Sequence, residues 1–291
     1  MKEEYKVIEW NIHMAVNGEF IPVFVSEAIA KEEADIVILT EFAFCKDENN
    51  QGMSAADFLK KTFSDKGYDY YPGSPTKNTQ NRANEVLIAW KREKFSVDKS
   101  CRIFSAVCSP YKNVPNFLAV PLIDADGKNK LIAAGVRITM TTARRPTEPS
   151  RTELAKFYQK QARLRYKEMM MVYAVLEMIS EKDTKVLIAG DFNNYRRGTK
   201  IQEWNMDRIT CGEKKYTAYT PAGGSWDIST NGTEFPEDHF ITRSCKIKDP
   251  DYYRGFTAYD RSIYRNGNSL YGIKPPYPDH AMLTGTLILD V

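Results

Sequence analysis

The sequence is poor in the residues that clip small folds together. Its 291 residues hold five cysteines, Cys45, Cys101, Cys108, Cys211 and Cys245, an odd number with no C-x-x-C spacing. That usage argues against a disulfide framework and against a zinc knuckle, and suits buried free thiols. Long apolar runs are missing too: none approaches the ~20 residues needed to span a bilayer. The opening MKEEYKVIEWNI enters a strand-like pattern at once, with neither the basic start nor the apolar stretch of a secretory signal. A cytoplasmic, reduced location is therefore expected. Charge of one sign is also lacking. Lys+Arg at 41 against Asp+Glu at 38 leaves +3, which permits a polyanionic partner without demanding one, because a local basic face matters more than the total. Histidine is the scarcest of the catalytic types, with only His13, His239 and His280. No internal repeat, low-complexity tract or obvious linker interrupts the chain.

What is present reads as a layered α/β protein. The 42% hydrophobic and 27% charged residues are ordinary for a chain with a sizeable core. Strand-like runs enriched in β-branched and aromatic residues fall at 5–12, 35–40, 85–90, 117–123, 131–138 and 185–190, with shorter ones near 237–242 and 281–289. Asp124-Ala-Asp-Gly127 reads as a hairpin connection. Helical spacing is expected over 22–34, 54–66 and 151–181, the last with an apolar stripe from Leu154 to Ile179. Hairpins mixed with helix-to-strand alternation favour mixed sheets in a single domain spanning 1–291.

The polar residues worth weighing sit at the ends of the apolar strands, where open α/β sheets gather ligand-binding groups. Asn11 follows the first strand and Glu41 the second. Asp191 and Asn193 follow the strand at 185–190, Asp238 begins a strand, and Asp279-His280 precedes the last one. Any one of them could be a cap, a turn former or a surface acid. Together, five such positions around one sheet edge point to a site.

These residues, in this order, resemble the endonuclease/exonuclease/phosphatase (deoxyribonuclease-I-like) superfamily. The resemblance is carried by Trp10-Asn11, by Glu41 in DIVILTE, by Gly190-Asp-Phe-Asn193 after VLIA, by Glu237-Asp238-His-Phe-Ile241 and by Asp279-His280. It implies a four-layer α/β sandwich, with two packed mixed β-sheets flanked by helices. It further implies Mg²⁺-dependent phosphoric ester hydrolysis, with Mn²⁺ able to substitute. Glu41 would be the direct metal ligand, supported by Asn11 and Asp279. Asp191 would orient the attacking water, Asn193 would donate to the phosphate, and His280, held by Asp238, would polarise the phosphate or serve as the base. Many relatives carry a histidine where this chain has Arg137, often supported by a glutamate at the place of Glu85. A Glu85–Arg137 pair would exchange a general acid for a permanent charge suited to clamping phosphate.

The substrate is less legible. His13 could reach the cleft two positions after Asn11, whereas His239 alternates away from Asp238 on its strand and reads as packing or surface. Arg144 and Arg145, in the loop after Arg137, are candidates for phosphate contact. The basic residues of the helix at 151–181 read as mostly a solvated face. Residues 249–278 interleave tyrosine and arginine and read as an insertion, suited to stacking on bases or simply to packing on the sheet edge. The expected partner is a phosphate-containing substrate, nucleic acid before a small phosphate ester, nucleotide or phosphoinositide. A catalytically inactive binding module is the third reading, and the retained acids argue against it.

Overall fold

The computed structural model describes residues 3–12, 21, 23–42, 53–73, 85–108, 115–138, 150–193, 216–222, 225–227, 234–253 and 280–289. Fifteen described strands build two sheets and a short ribbon. The six-stranded sheet runs β14 (Lys246–Tyr253), β15 (Met282–Ile288), β1 (Glu4–Asn11), β2 (Ile36–Phe42), β4 (Glu85–Lys91), β3 (Tyr68–Pro72). Within it β1 and β2 are parallel and the other neighbours antiparallel. The seven-stranded sheet runs β10 (Thr217–Tyr219), β13 (Asp238–Arg243), β9 (Lys185–Asp191), β8 (Lys130–Arg137), β7 (Phe117–Asp124). Both β5 (Phe95–Val97) and β6 (Phe104–Ala106) lie on the far edge of β7. Here β8 and β9 form the parallel pair. The ribbon pairs β11 (Trp226–Asp227) with β12 (Glu234–Phe235).

Strand periodicity sorts the apolar residues into three layers. Val7, Ile36, Ile38, Val86, Leu118, Leu131, Leu187, Phe240 and Leu283 fill the space between the sheets. The alternate residues Ile8, Trp10, Val37, Leu39 and Leu87 turn outward. They pack with Val25 and Ile29 of α1 (Val23–Glu32) and with Phe58 and Phe63 of α2. That second helix comprises Ala55–Phe58, a π turn at Leu59–Phe63 and a 3₁₀ turn at Ser64–Lys66. On the opposite outer face Ile132, Val136, Val186 and Ile188 lie beneath Met169, Val172, Tyr173 and Leu176 of α3 (Arg151–Ile179). A capping box starts α3: Ser150 accepts from the Glu153 amide, and the Glu153 carboxylate accepts from the Ser150 amide. The result is the expected four-layer sandwich of helix, sheet, sheet and helix.

The long strands and helices fall within a few residues of their expected bounds. The short strands β3, β5, β6 and β10 lie where the sequence shows only turns and loop, because three to five residues give period two little room. Residues 249–253, expected to open a tyrosine- and arginine-rich insertion, form the second half of edge strand β14. Its alternation is broken by a register shift between Lys248 and Asp251. Asp249 there has φ 50°, a bulge that lets Pro250 stay in an edge strand. Residues 254–278 lie outside the described ones. Cys101, Cys108 and Cys245 are free thiols. No described helix is long and apolar enough to cross a membrane.

The parallel pair β8–β9 closes tightly at its upper end. Gly190 sits opposite Val136, and a Cβ on it would lie 1.9 Å from the Val136 carbonyl oxygen. A backbone oxygen fixed in a ladder has no room to retreat. Gly190→Ala should therefore cost about 3 kcal/mol or more, read as a lower urea midpoint. An unchanged midpoint would mean that the two strands do not approach this closely.

Candidate active site

Alternation along the strands, which builds the core, also builds the site. On β1 the series Val7, Glu9, Asn11 points between the sheets. On β8 the series Leu131, Ala133 continues to Arg137, on β9 Leu187 and Ala189 continue to Asp191, and on β13 Asp238 has the parity of Phe240. Each strand is apolar through its middle and becomes polar at the same end. On β2 a bulge adjusts the aim: the pairing with β4 shifts between Leu39 and Phe42, and Glu41 takes a left-handed φ of 54°. Bulges commonly re-aim a side chain in this way.

The Asn11 amide is the hub. Its Nδ2 donates to Glu41 Oε1 at 3.3 Å and to Asp191 Oδ2 at 3.1 Å, and lies 3.5 Å from His280 Nε2. Arg137 forms ion pairs with both acids, through Nη2 to Glu41 Oε1 and through Nε to Asp191 Oδ2 at 3.7 Å. Asn116 braces that arginine, its Nδ2 donating to the Arg137 carbonyl at 2.9 Å. On the other side His280 Nδ1 lies 2.7 Å from Asp238 Oδ2, an orientation that turns Nε2 towards Asn11. Trp10 Nε1 donates to the His280 carbonyl at 2.9 Å, and Tyr252 Oη to the Asp238 carbonyl at 2.6 Å. Ser225 Oγ accepts the Glu237 and Asp238 amides at 2.9 and 3.1 Å.

The turn after β9 fixes Asp191. Asn193 has φ 47°, a conformation asparagine tolerates better than most residues. Its backbone amide donates to Asp191 Oδ1 at 2.7 Å. Its Nδ2 donates to Asp191 Oδ2 at 2.9 Å and to the Ile138 carbonyl at 2.8 Å. Both amide hydrogens of Asn193 are thus spent within the chain, so in this arrangement it positions Asp191 instead of reaching outward to a phosphate.

Burial dominates the electrostatics. It pushes the Asp191 carboxyl up to about 6; His280 and Arg137 pull it down, Asp238 and Glu41 push it up. Glu237 is pushed up to about 8, first by burial, then by Asp191 and Asp238 and against His280 and Arg165. Glu9 escaped the sequence reading. It is fully buried one strand step below Asn11, and its Oε1 accepts from Thr40 Oγ1 at 3.0 Å. Burial, then Asp238 and Asp191, raise its carboxyl well above the ordinary range. The available signal was an ionisable residue at the parity of Asn11 inside an otherwise apolar strand.

Of the expected residues, Asn11, Glu41, Arg137, Asp191, Asn193, Asp238 and His280 converge here. His239 faces the outer layer as expected, with Nδ1 2.9 Å from Thr220 Oγ1 and its ring 5.5 Å from Phe192. His13, Arg144, Arg145 and Asp279 lie outside the described residues, as does the Glu85 side chain, so the expected Glu85–Arg137 pair is not described. The Glu85 backbone stands opposite Phe42 at the start of β4.

No protein-family model and no curated protein matches the chain. Solved structures do. A humanized D. rerio TDP2 carrying 14 mutations superposes with a TM-score of 0.63 at 14% identity, covering 98% of each chain. An endonuclease/exonuclease/phosphatase family protein from Bacteroides thetaiotaomicron gives 0.60 at 13% identity, covering 100% of each. The human Nocturnin catalytic domain with bound sulfate gives 0.56 at 13% identity, covering 99% of this chain and 96% of that one. D. rerio TDP2 has also been solved in complex with a single strand DNA product, at a TM-score of 0.60 and 13% identity. Over its whole length this chain has the fold of the endonuclease/exonuclease/phosphatase proteins.

Proposed function

We propose that the chain is a divalent-metal-dependent phosphodiesterase acting on nucleic acid. One observation carries the reading: a single amide, Asn11 Nδ2, stands within 3.5 Å of Glu41, Asp191 and His280. Residues from three strands and from the segment before a fourth thus share one small volume. A structural role alone does not call for buried like charges to be gathered in this way. The nucleic-acid part of the reading is supported by Arg144, Arg145 and the tyrosine- and arginine-rich run that leads to His280, and by the DNA complex of a protein with this fold.

Among the described residues no group of three His, Cys, Asp or Glu side chains is arranged to hold a metal ion. Mg²⁺ does not require one. It favours hard oxygens and keeps several waters beside one or two carboxylates. Glu41 is a carboxylate of that kind; Asn11, whose Nδ2 faces Glu41 in this arrangement, would add its side-chain oxygen on turning its amide over, and Asp279 is placed by sequence to contribute. A bound Mg²⁺ would polarise a phosphoryl oxygen and stabilise charge on the leaving oxygen. Asp191, locked by Asn193 and Asn11, would align the attacking water and accept its proton. His280 Nε2, aimed by Asp238 at Nδ1, would hydrogen-bond the phosphate. Arg137 stays protonated at working pH. It lies between Glu41 and Asp191, where it can meet charge developing on the phosphoryl oxygens.

Hydrolysis of bis(p-nitrophenyl) phosphate and of labelled oligonucleotides should require Mg²⁺ or Mn²⁺ and stop in EDTA. Asp191→Asn should lower kcat by roughly 10²–10⁴ on both substrates. Activity confined to the small ester would discard the nucleic-acid part, and silence on both would discard the enzyme. Arg137→Ala should lower kcat/KM about 10²–10³-fold, with Arg137→Lys restoring only part, because a point charge does not replace a planar fork. Unchanged turnover in Arg137→Ala would remove the arginine from the mechanism.

A further inference from the structure

Arg137 stands among groups with competing claims on it. It is the last residue of β8, level with Asp191 of β9, and its side chain is only 13% exposed. The backbone there is clamped from both sides. The Arg137 amide donates to the Asn116 carbonyl at 2.9 Å, and Asn116 Nδ2 donates to the Arg137 carbonyl, also at 2.9 Å. Asn116 is itself buried, and its Oδ1 accepts from the Cys108 amide at 2.7 Å. With the main chain held in this way, the guanidinium is delivered between Glu41 and Asp191.

Its hold on Glu41 falls on an oxygen that the proposed chemistry needs. Nη2 pairs with Glu41 Oε1, the same oxygen that Asn11 Nδ2 approaches at 3.3 Å. A guanidinium and Mg²⁺ make different demands on such a carboxylate. The guanidinium is weakly hydrated and meets it with a planar, ready-made fork, so little water is lost when the two pair in a buried seam. Mg²⁺ gives up its waters reluctantly. A permanent positive charge at contact distance also repels a second cation, the more so where the dielectric is reduced. Pushed aside or left as a neighbour, the arginine weakens metal binding at Glu41. A phosphate group offers that arginine another partner of matching geometry, with two oxygens for two N–H arms.

We propose that Arg137 is a latch on Glu41, a resident cation that competes with the divalent metal for this carboxylate and is drawn off it by the phosphate of the substrate. The proposal rests on the metal-dependent phosphodiesterase reading and adds a regulation of that same site. Metal and phosphate then favour each other, since each binds more easily once the other has parted Arg137 from Glu41. Linkage makes the effect equal in both directions.

The test is the affinity for Mn²⁺ alone, read from the electron paramagnetic resonance of the unbound ion, in the full chain and in Arg137→Gln. Losing the arginine should tighten Mn²⁺ binding about tenfold or more, while turnover of bis(p-nitrophenyl) phosphate falls. A purely structural arginine gives the opposite sign, because a loosened site binds metal less well. Adding Glu41→Gln to Arg137→Gln should abolish the gain, which locates the ion at Glu41. Inorganic phosphate should raise the Mn²⁺ affinity of the unaltered protein about fivefold or more beyond its effect on Arg137→Gln. Should Arg137→Gln fold poorly, the rise in Tm produced by Mn²⁺ reports the same affinity through binding to the native state, and Arg137→Lys is measured beside it. Lysine keeps the charge, lacks the fork and is more strongly hydrated, so its gain should be smaller but present. Mn²⁺ affinity in Arg137→Gln equal to or below that of the unaltered protein overturns the latch, as does a gain that survives Glu41→Gln or an equal phosphate effect in both proteins. In each case metal-dependent hydrolysis of the small ester by the unaltered protein leaves the phosphodiesterase reading standing, and its absence brings that reading down as well.

Discussion

Four carboxyl groups, those of Glu9, Glu41, Asp191 and Asp238, are gathered in the seam between two sheets, and their mutual repulsion is the constraint the surrounding structure answers. Two unit charges 4 Å apart interact by about 4 kcal/mol even at an effective dielectric constant near 20. Four such groups left ionised and unpaired would consume a typical stability of ~5–15 kcal/mol. Each is answered differently. Arg137 bridges Glu41 and Asp191, Asn11 donates to the same two, His280 takes Asp238, and at Glu9 burial raises the carboxyl pKa, disfavouring its charge. The polar layer is stable as a set, and each member is placed by the others.

That mutual placement extends to the backbone. Glu41 and Asn193 both hold left-handed conformations, which cost of order 1–3 kcal/mol each and persist only where the surroundings over-determine them. At Glu41 the surroundings are a bulge between two core strands. At Asn193 they are three hydrogen bonds, to Asp191 and Ile138. The close approach of Gly190 to Val136 brings the end of β9 against β8, so Asp191 and Arg137 come level. The apolar sandwich is thus the jig for the chemistry, and two of its left-handed residues sit where the acids are aimed.

The sequence was informative where one physical signal acted alone. An apolar run bounded by Asp, Glu or Asn marks a strand terminus, and Asn11, Glu41 and Asp191 at strand ends and Asp238 at a strand start were readable on that basis. Resemblance in chain order then indicated that they meet. Glu9 was not readable in the same way, because an acid within VIEWNI looks like an exposed alternation until both faces of the strand are known to be covered. The partners of Arg137 depend on the register of strands far apart in the chain, which no local pattern encodes. The spending of both Asn193 amide hydrogens depends on the neighbouring Ile138 carbonyl, again a tertiary fact. Strand β14 was hidden by its own bulge at Asp249-Pro250.

The two buried acids beneath and beside the site, Glu9 and Glu237, have a bearing on the whole molecule. Glu237 gives up its proton near 4.5 in an unfolded chain and near 8 in the folded one, and Glu9 is displaced in the same direction. Between those limits the native state binds more protons than the denatured state, so folding draws protons from the buffer. The stabilisation is complete below about 4.5 and fades as the pH climbs through 8. Alkali is expected to loosen this protein from inside, at two buried acids, while mild acid leaves both groups undisturbed.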